Sequence, residues 1–183
     1  MPRKCRLEIA GAAYHVTARG VAKSELFRDD LDRRRFLKLL GALINQFEWT
    51  CHAYCLMTTH YHLLVRTPLP NLAAGMQRLN ACYAQDFNRR HGEEGHRFFR
   101  RYHDVMVESE SHALELVRYI AMNPVRAGAC DHPRRWPWGS YPALVGEAPC
   151  PSYLTAEWVL AYFGNDRARA AERLAAFVED VSR

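Results

Sequence analysis

At 183 residues, 49% of them hydrophobic, the chain is sized for one well-packed domain with a small extension rather than two independent cores. Lys and Arg number 25 against 20 Asp and Glu, a formal charge of +5 with a pI near 9.0, which favours a polyanionic partner. No stretch approaches the ~18 consecutive apolar residues of a membrane span. The six cysteines (Cys5, Cys51, Cys55, Cys82, Cys130 and Cys150) have no framework spacing, and the N-terminus, MPRKCRLEIAG, lacks an apolar signal core. A reduced cytoplasmic protein is expected, not a secreted disulfide scaffold or a membrane protein.

In chain order, the first element is AAYHVTARG (residues 12–20), where Tyr14, Val16 and Ala18 alternate with His15, Thr17 and Arg19 as in a half-buried strand. DDLDRRRFLKLLGALINQFEW opens with acidic residues and spaces Leu31, Phe36, Leu39, Leu40, Leu43 and Phe47 at helical intervals. TCHAYCLM and HYHLLVRTP then read as two strands joined tightly at Thr58-Thr59. A second helix is predicted over NLAAGMQRLNACYAQDFNRRHG, capped by Asn71 and closed by Gly92, and RRYHDVMVES alternates as a fourth strand. The order β-α-β-β-α-β predicts an α+β, ferredoxin-like antiparallel sheet under two helices, with its other face free.

Past this core, SESHALELVRYIAMNP reads as a third helix with a serine cap, Ser109 or Ser111, stopped by Pro124. A Pro- and Trp-rich connector follows, DHPRRWPWGSYPALVGEAPCPSY, expected to wrap against the core. Two further helices, around TAEWVLAYFG and DRARAAERLAAFVEDV, complete the chain. Residues 1–128 are thus expected to form the core with its third helix, and residues 129–183 a connector and C-terminal helices packed on the same domain.

The candidate chemistry begins with His-x-His. On a strand, His60 and His62 project together while Tyr61, Leu63 and Val65 project oppositely. By itself the pair could hold a metal, form a polar sheet face or be two unrelated surface histidines. On the third helix, Tyr119 and Asn123 are four residues apart and share a face, and the stripe Leu114, Val117, Ile120 and Ala121 can dock that helix. Two imidazoles and an amide oxygen would be a neutral ligand set with positions open to water or phosphate oxygens. A tyrosine beside such an ion is a poor nucleophile made useful by in-line placement and a metal-polarised electrophile. His15 faces the polar side of its own strand, within approach of the site, and reads as a satisfied strand histidine. Strand alternation sets His52 opposite Cys51 and Cys55, against a structural zinc there. Arg89, Arg90, Arg97, Arg100 and Arg101, interleaved with His91, His96, Phe98 and Phe99, have the composition of a phosphate-tracking groove with stacking rings. Arg134-Arg135 with Trp136 and Trp138 suits connector packing and DNA contact equally.

Together, HYH, RLNACYAQDFNRRHGEEGHRFF and RYIAMNPVRAG, in this order and spacing between Gly11 and Gly146, resemble the REP-associated tyrosine transposases, within the IS200-like group of HUH single-tyrosine transposases. The resemblance implies a metal-dependent endonuclease and strand-transferase of single-stranded DNA at hairpins of repeated extragenic palindromes. It assigns Tyr119 as the nucleophile that becomes joined to a 5′ phosphate, and His60, His62 and Asn123 as ligands of a divalent ion, Mg²⁺ or Mn²⁺. Thr58-Thr59 stand where relatives often carry Pro-Asn or an acidic residue, so no extra carboxylate ligand is expected. Such enzymes act as monomers or homodimers on single-stranded or hairpin DNA at the nucleoid, without a membrane. The alternative is a domesticated, non-cutting module that binds DNA hairpins. An RNA-binding ferredoxin-like domain is disfavoured, since the strands lack paired RNP aromatics.

Overall fold

The computed structural model describes residues 8–180. Cys5, the basic start of the chain and the end of the last predicted helix lie outside them. Strand β1 (Ala13–Arg19) leads through a short 3₁₀ turn to helix α1 (Asp30–Phe47), the hairpin β2 (Thr50–Leu56) and β3 (His60–Arg66), helix α2 (Leu72–His91), the short strand β4 (His103–Met106) and helix α3 (Glu110–Arg126). The single turns α4 (Tyr141–Leu144) and α5 (Glu157–Leu160) and helix α6 (Arg167–Glu179) follow. The sheet order is β2-β3-β1-β4 with every neighbour antiparallel, the ferredoxin-like arrangement expected from the sequence.

Helix α1 begins where the Asp29 side chain accepts the Asp32 amide at 3.0 Å. It buries Phe36, Leu40, Leu43 and Ile44. Phe27, Phe36, Tyr61 and Tyr83 meet between the helices and the sheet with centroids 4.7–5.4 Å apart. Truncating the fully buried Phe36 to Ala would cost about 3–5 kcal/mol. Helix α2 crosses Trp49 at Gly75, where a Cβ would fall 2.2 Å from the indole Cζ2. Only a bare backbone fits there.

The structure differs from expectation at five points, four of them local. The β2–β3 join has three residues, Met57 to Thr59, because the Thr58 carbonyl is held outward by the Leu26 and Phe27 amides. Asn71 stands at the start of α2 without capping it; its side chain accepts from Trp49 Nε1 at 2.7 Å and donates to the Phe47 carbonyl at 3.2 Å. A bulge between Cys51 and Ala53 changes the phase of β2, so Cys51 pairs with Val65 and Cys55 with His62, on opposite faces. Finally, Pro124 does not stop α3: in the last turn it removes one hydrogen bond only, its ring is buried, and the helix runs on to Arg126.

Nor is the second face of the sheet free. Helix α3, capped by Ser109 accepting the His112 amide at 3.2 Å, packs across β2 and β3. The connector runs along the open edge of β2, where the Leu56 amide donates to the Trp138 carbonyl and the Ser140 amide to the Tyr54 carbonyl, both at 2.9 Å. Further back, the Thr155 amide donates to the Cys51 carbonyl at 2.8 Å. This edge is therefore paired and not left to other chains. Glu179 ties α6 to the connector through Arg134 and the Tyr141 hydroxyl, both at 2.6 Å.

Candidate functional site

The β1–β3 register sets Thr17 opposite His62 and Arg19 opposite His60, and the β1–β4 register sets Thr17 opposite His103. Period-two alternation then brings His15, Thr17, His60 and His62 to the face covered by α3. His15 Nε2 lies 3.0 Å from His62 Nδ1, and Thr17 Oγ1 lies 3.2 Å from the same nitrogen. The His60 and His62 rings meet edge to face with centroids 5.1 Å apart, and Thr59 Oγ1 is 3.2 Å from His60 Nδ1.

Helix α3 supplies the rest. Val117, Ile120 and Ala121 dock it, which leaves Tyr119, 36% exposed, at the mouth of the site. Its ring stands edge-on to His62 at 5.4 Å and to His15 at 5.9 Å, with the Arg126 guanidinium 5.5 Å from its centroid. One turn on, Asn123 lies beside His60 and favours its charged form, against the effect of burial. Tyr119, His60, His62 and Asn123, spread over more than sixty positions of sequence, thus come together.

Burial holds the imidazoles neutral. It pushes His62 down to about 3, with His15 and His60 adding to the shift, and His15 down to about 4; His60 is also lowered by burial. His62 Nε2 is buried without a hydrogen-bond partner. Among the described residues no three His, Cys, Asp or Glu side chains group as a metal site, so any ion here depends on an amide or on a ligand from outside the chain.

Beside Tyr119 opens a cavity of about 520 Å³ lined by His15, Thr17, His62, Arg100, Arg101 and His103, among others. A larger one, about 1030 Å³, lies between α2 and residues 95–102 and shares Phe99, Arg100 and Arg101 with the first. Phe99 is 59% exposed, with the Arg100 guanidinium 4.9 Å from its ring centroid. The five arginines picked from sequence divide accordingly. Arg100 and Arg101 are exposed on the cavity walls. Arg90 is instead bound to Asp29 and the buried Asp32, and Arg97 is buried over Phe87 at 4.2 Å and paired with Glu93. Arg89 projects outward and pairs with Asp86. Arg134 pairs with Glu147 and Glu179, and Trp136 Nε1 donates to the Leu56 carbonyl at 3.3 Å.

Sequence reasoning underrated His15 and Thr17. Their alternation put them on a polar face, but only the strand register carries them to His62. Arg19 and Arg126, also at this site, gave no signal beyond their charge.

The family described as IS200-like transposases matches residues 8–123, well over half of the chain. No protein of curated function matches it. Among solved structures, a REP-associated tyrosine transposase bound to a REP hairpin superposes with a TM-score of 0.70 at 14% identity, over 85% of this chain and 92% of that one; the likeness is one of fold. A crystal structure of a candidate transposase from Deinococcus radiodurans R1, 18% identical, covers 64% of this chain and 95% of its own, with a TM-score of 0.46. Among the described residues no helix is long and apolar enough to cross a membrane. The family match runs from before β1 to Asn123 and takes in every residue of the histidine and tyrosine cluster: this chain belongs to the IS200-like transposase family.

Proposed function

We propose that this family member is a metal-dependent endonuclease and strand-transferase of single-stranded DNA, a REP-associated tyrosine transposase acting at hairpins, with Tyr119 as its nucleophile. The observation that carries this reading is the convergence of α3 on the β3 histidines, with Tyr119 edge-on to His62 at 5.4 Å and Asn123 one turn on, beside His60. A hairpin substrate is supported by the fold neighbour, which is bound to a REP hairpin.

His60, His62 and Asn123 are the residues that would hold a divalent cation, Mg²⁺ or Mn²⁺. They suit one: His62 Nε2 is buried and unpartnered, both imidazoles are kept neutral by burial, and Asn123 brings a carbonyl oxygen. When bound, such a cation polarises the phosphate oxygens of the scissile bond. Tyr119 Oη attacks the phosphorus, so that the Oη–P bond forms as the P–O3′ bond breaks. The phenol gives up its proton and the departing 3′ oxygen takes one up, leaving a 3′ hydroxyl and a 5′ phosphate joined to Tyr119. One phosphodiester replaces another, so the reaction reverses on a second strand without a nucleotide cofactor. With the imidazoles neutral, the positive charge facing the DNA comes from Arg19, Arg100, Arg101 and Arg126, which hold the backbone phosphates while Phe99 offers its face to an unpaired base.

The test uses labelled single-stranded DNA carrying a palindromic hairpin, incubated with the protein and Mn²⁺ or Mg²⁺ and run on a denaturing gel. A protein-linked band that needs the metal and is lost in Tyr119→Phe, with hairpin binding kept within a few fold, supports the reading. Tight binding with no band in either metal would assign the protein to the non-cutting hairpin-binding class instead.

A further inference from the structure

The least explained contact in the site is the one between two histidines. A neutral imidazole has one N–H and one lone pair, so two nitrogens 3.0 Å apart, His15 Nε2 and His62 Nδ1, share one proton. The ring planes are 19° from parallel with centroids 5.2 Å apart. With the nitrogens at 3.0 Å, that spacing sets the rings side by side, nearly coplanar, as an in-plane N–H···N bond requires.

Two arrangements are possible, and the far side of His62 separates them. If His15 donates, His62 carries its proton on Nε2, which is buried with no acceptor among the described residues. Folded proteins avoid a buried donor of that kind. If His62 donates from Nδ1, its Nε2 instead presents a lone pair toward the side where His60, Asn123 and Tyr119 gather, which is what a cation needs. We propose that His15 is a positioning residue: its Nε2 accepts the Nδ1 proton of His62 and so fixes His62 in the tautomer whose Nε2 is a free ligand. The value of this to metal binding rests on the reading of His62 as a ligand given above; the tautomer itself does not. Ring orientation by a hydrogen bond on the second nitrogen is a general device of histidine ligands. Thr17 Oγ1, 3.2 Å from the same nitrogen, is the competing acceptor, and the shorter contact favours His15.

The experiment reads the metal-free, full-length protein with ¹⁵N-labelled histidine, using long-range ¹H–¹⁵N spectra that report which ring nitrogen is protonated. His62 is assigned by its loss in His62→Gln. Mn²⁺ affinity is then measured by calorimetry for the wild type, His15→Phe, His15→Gln and Thr17→Val. The expected result is His62 protonated on Nδ1 in the wild type, an Mn²⁺ dissociation constant raised about 10–100-fold in His15→Phe, and recovery to within about threefold in His15→Gln, whose carbonyl can accept the same proton. A far-UV circular dichroism spectrum and a urea midpoint that match wild type in the Phe variant show that its fold is kept. If that variant is misfolded, the wild-type spectrum and the Gln variant still decide. A wild-type His62 protonated on Nε2, or an unchanged affinity in His15→Phe, overturns the proposal. A loss in Thr17→Val with none in His15→Phe also overturns it, in favour of Thr17. A wild type that binds no Mn²⁺ yet shows the Nδ1 tautomer contradicts the metal reading while supporting the role of His15.

Discussion

Replacing Asp32 by Asn tests the assignment of Arg90 to its acidic partners rather than to DNA. The Asp32 carboxylate is 1% exposed and lies where the start of α1 meets the end of α2. It accepts the Arg28 amide at 3.0 Å and an Arg90 guanidinium N–H, and lies 3.1 Å from His91 Nε2. An amide in its place keeps the shape but turns an NH₂ toward one of these donors and leaves Arg90 short of a counter-charge. Breaking a buried pair costs about 3–5 kcal/mol. Arg90 keeps Asp29 at 2.5 Å and is 22% exposed on its side chain, which points to the lower end, about 3 kcal/mol. With a urea slope near 2 kcal/mol/M, the unfolding midpoint at pH 7 should drop by about 1.5 M. The double variant with Arg90→Met should lose less than the sum of the single variants, since they share one partner. A midpoint shift below about 0.4 M, under 1 kcal/mol at that slope, would refute the reasoning and return Arg90 to the pool of free cations.

Two other predictions separate surface from interior in the same way. Arg100→Met and Arg101→Met should each weaken binding to a single-stranded oligonucleotide and flatten the log–log salt dependence by about 0.7, whereas Arg90→Met should leave that slope unchanged; equal slopes in all three would sink the division made here. His52 is buried against Trp158 at 4.2 Å, its Nδ1 3.4 Å from the Thr155 carbonyl. Burial pushes it down to about 4, opposed by that carbonyl. A histidine lowered in the folded state is more protonated when unfolded, so its stabilising contribution is full above pH 6.5 and is lost as the pH falls toward 4. The slope is about 1.4 kcal/mol per pH unit. Urea midpoints from pH 7 to 5 should fall less steeply in His52→Phe than in the wild type, and parallel curves would contradict this.

Elements with strong local signals were legible in the sequence: the alternation of β1, the acidic start of α1, the Gly92 stop of α2 and the order that gives the ferredoxin-like sheet. So was the pairing of Tyr119 with Asn123, which needs only helical spacing. What escaped was set by tertiary contacts. Asn71 gave up its capping role to bond Trp49. Pro124 stayed within α3 because its ring is buried. His15 joined the site through a strand register that no local pattern reveals. The arginines show the same limit: all five sit within thirteen consecutive residues, yet Arg90 found acidic partners across the helices and Arg97 one four residues back, while Arg100 and Arg101 reached the cleft.

The most direct measurement of the central claim is the mass of the DNA-linked peptide. After cleavage of a hairpin substrate in Mn²⁺, nuclease trimming and trypsin digestion, cuts after Arg118 and Arg126 release the peptide Tyr119–Arg126. The account predicts that this peptide carries one 5′-phosphonucleotide, placed on Tyr119 by fragmentation. A nucleotide on any other residue, or cut DNA with a free 5′ phosphate and no linked peptide, would contradict Tyr119 as the nucleophile.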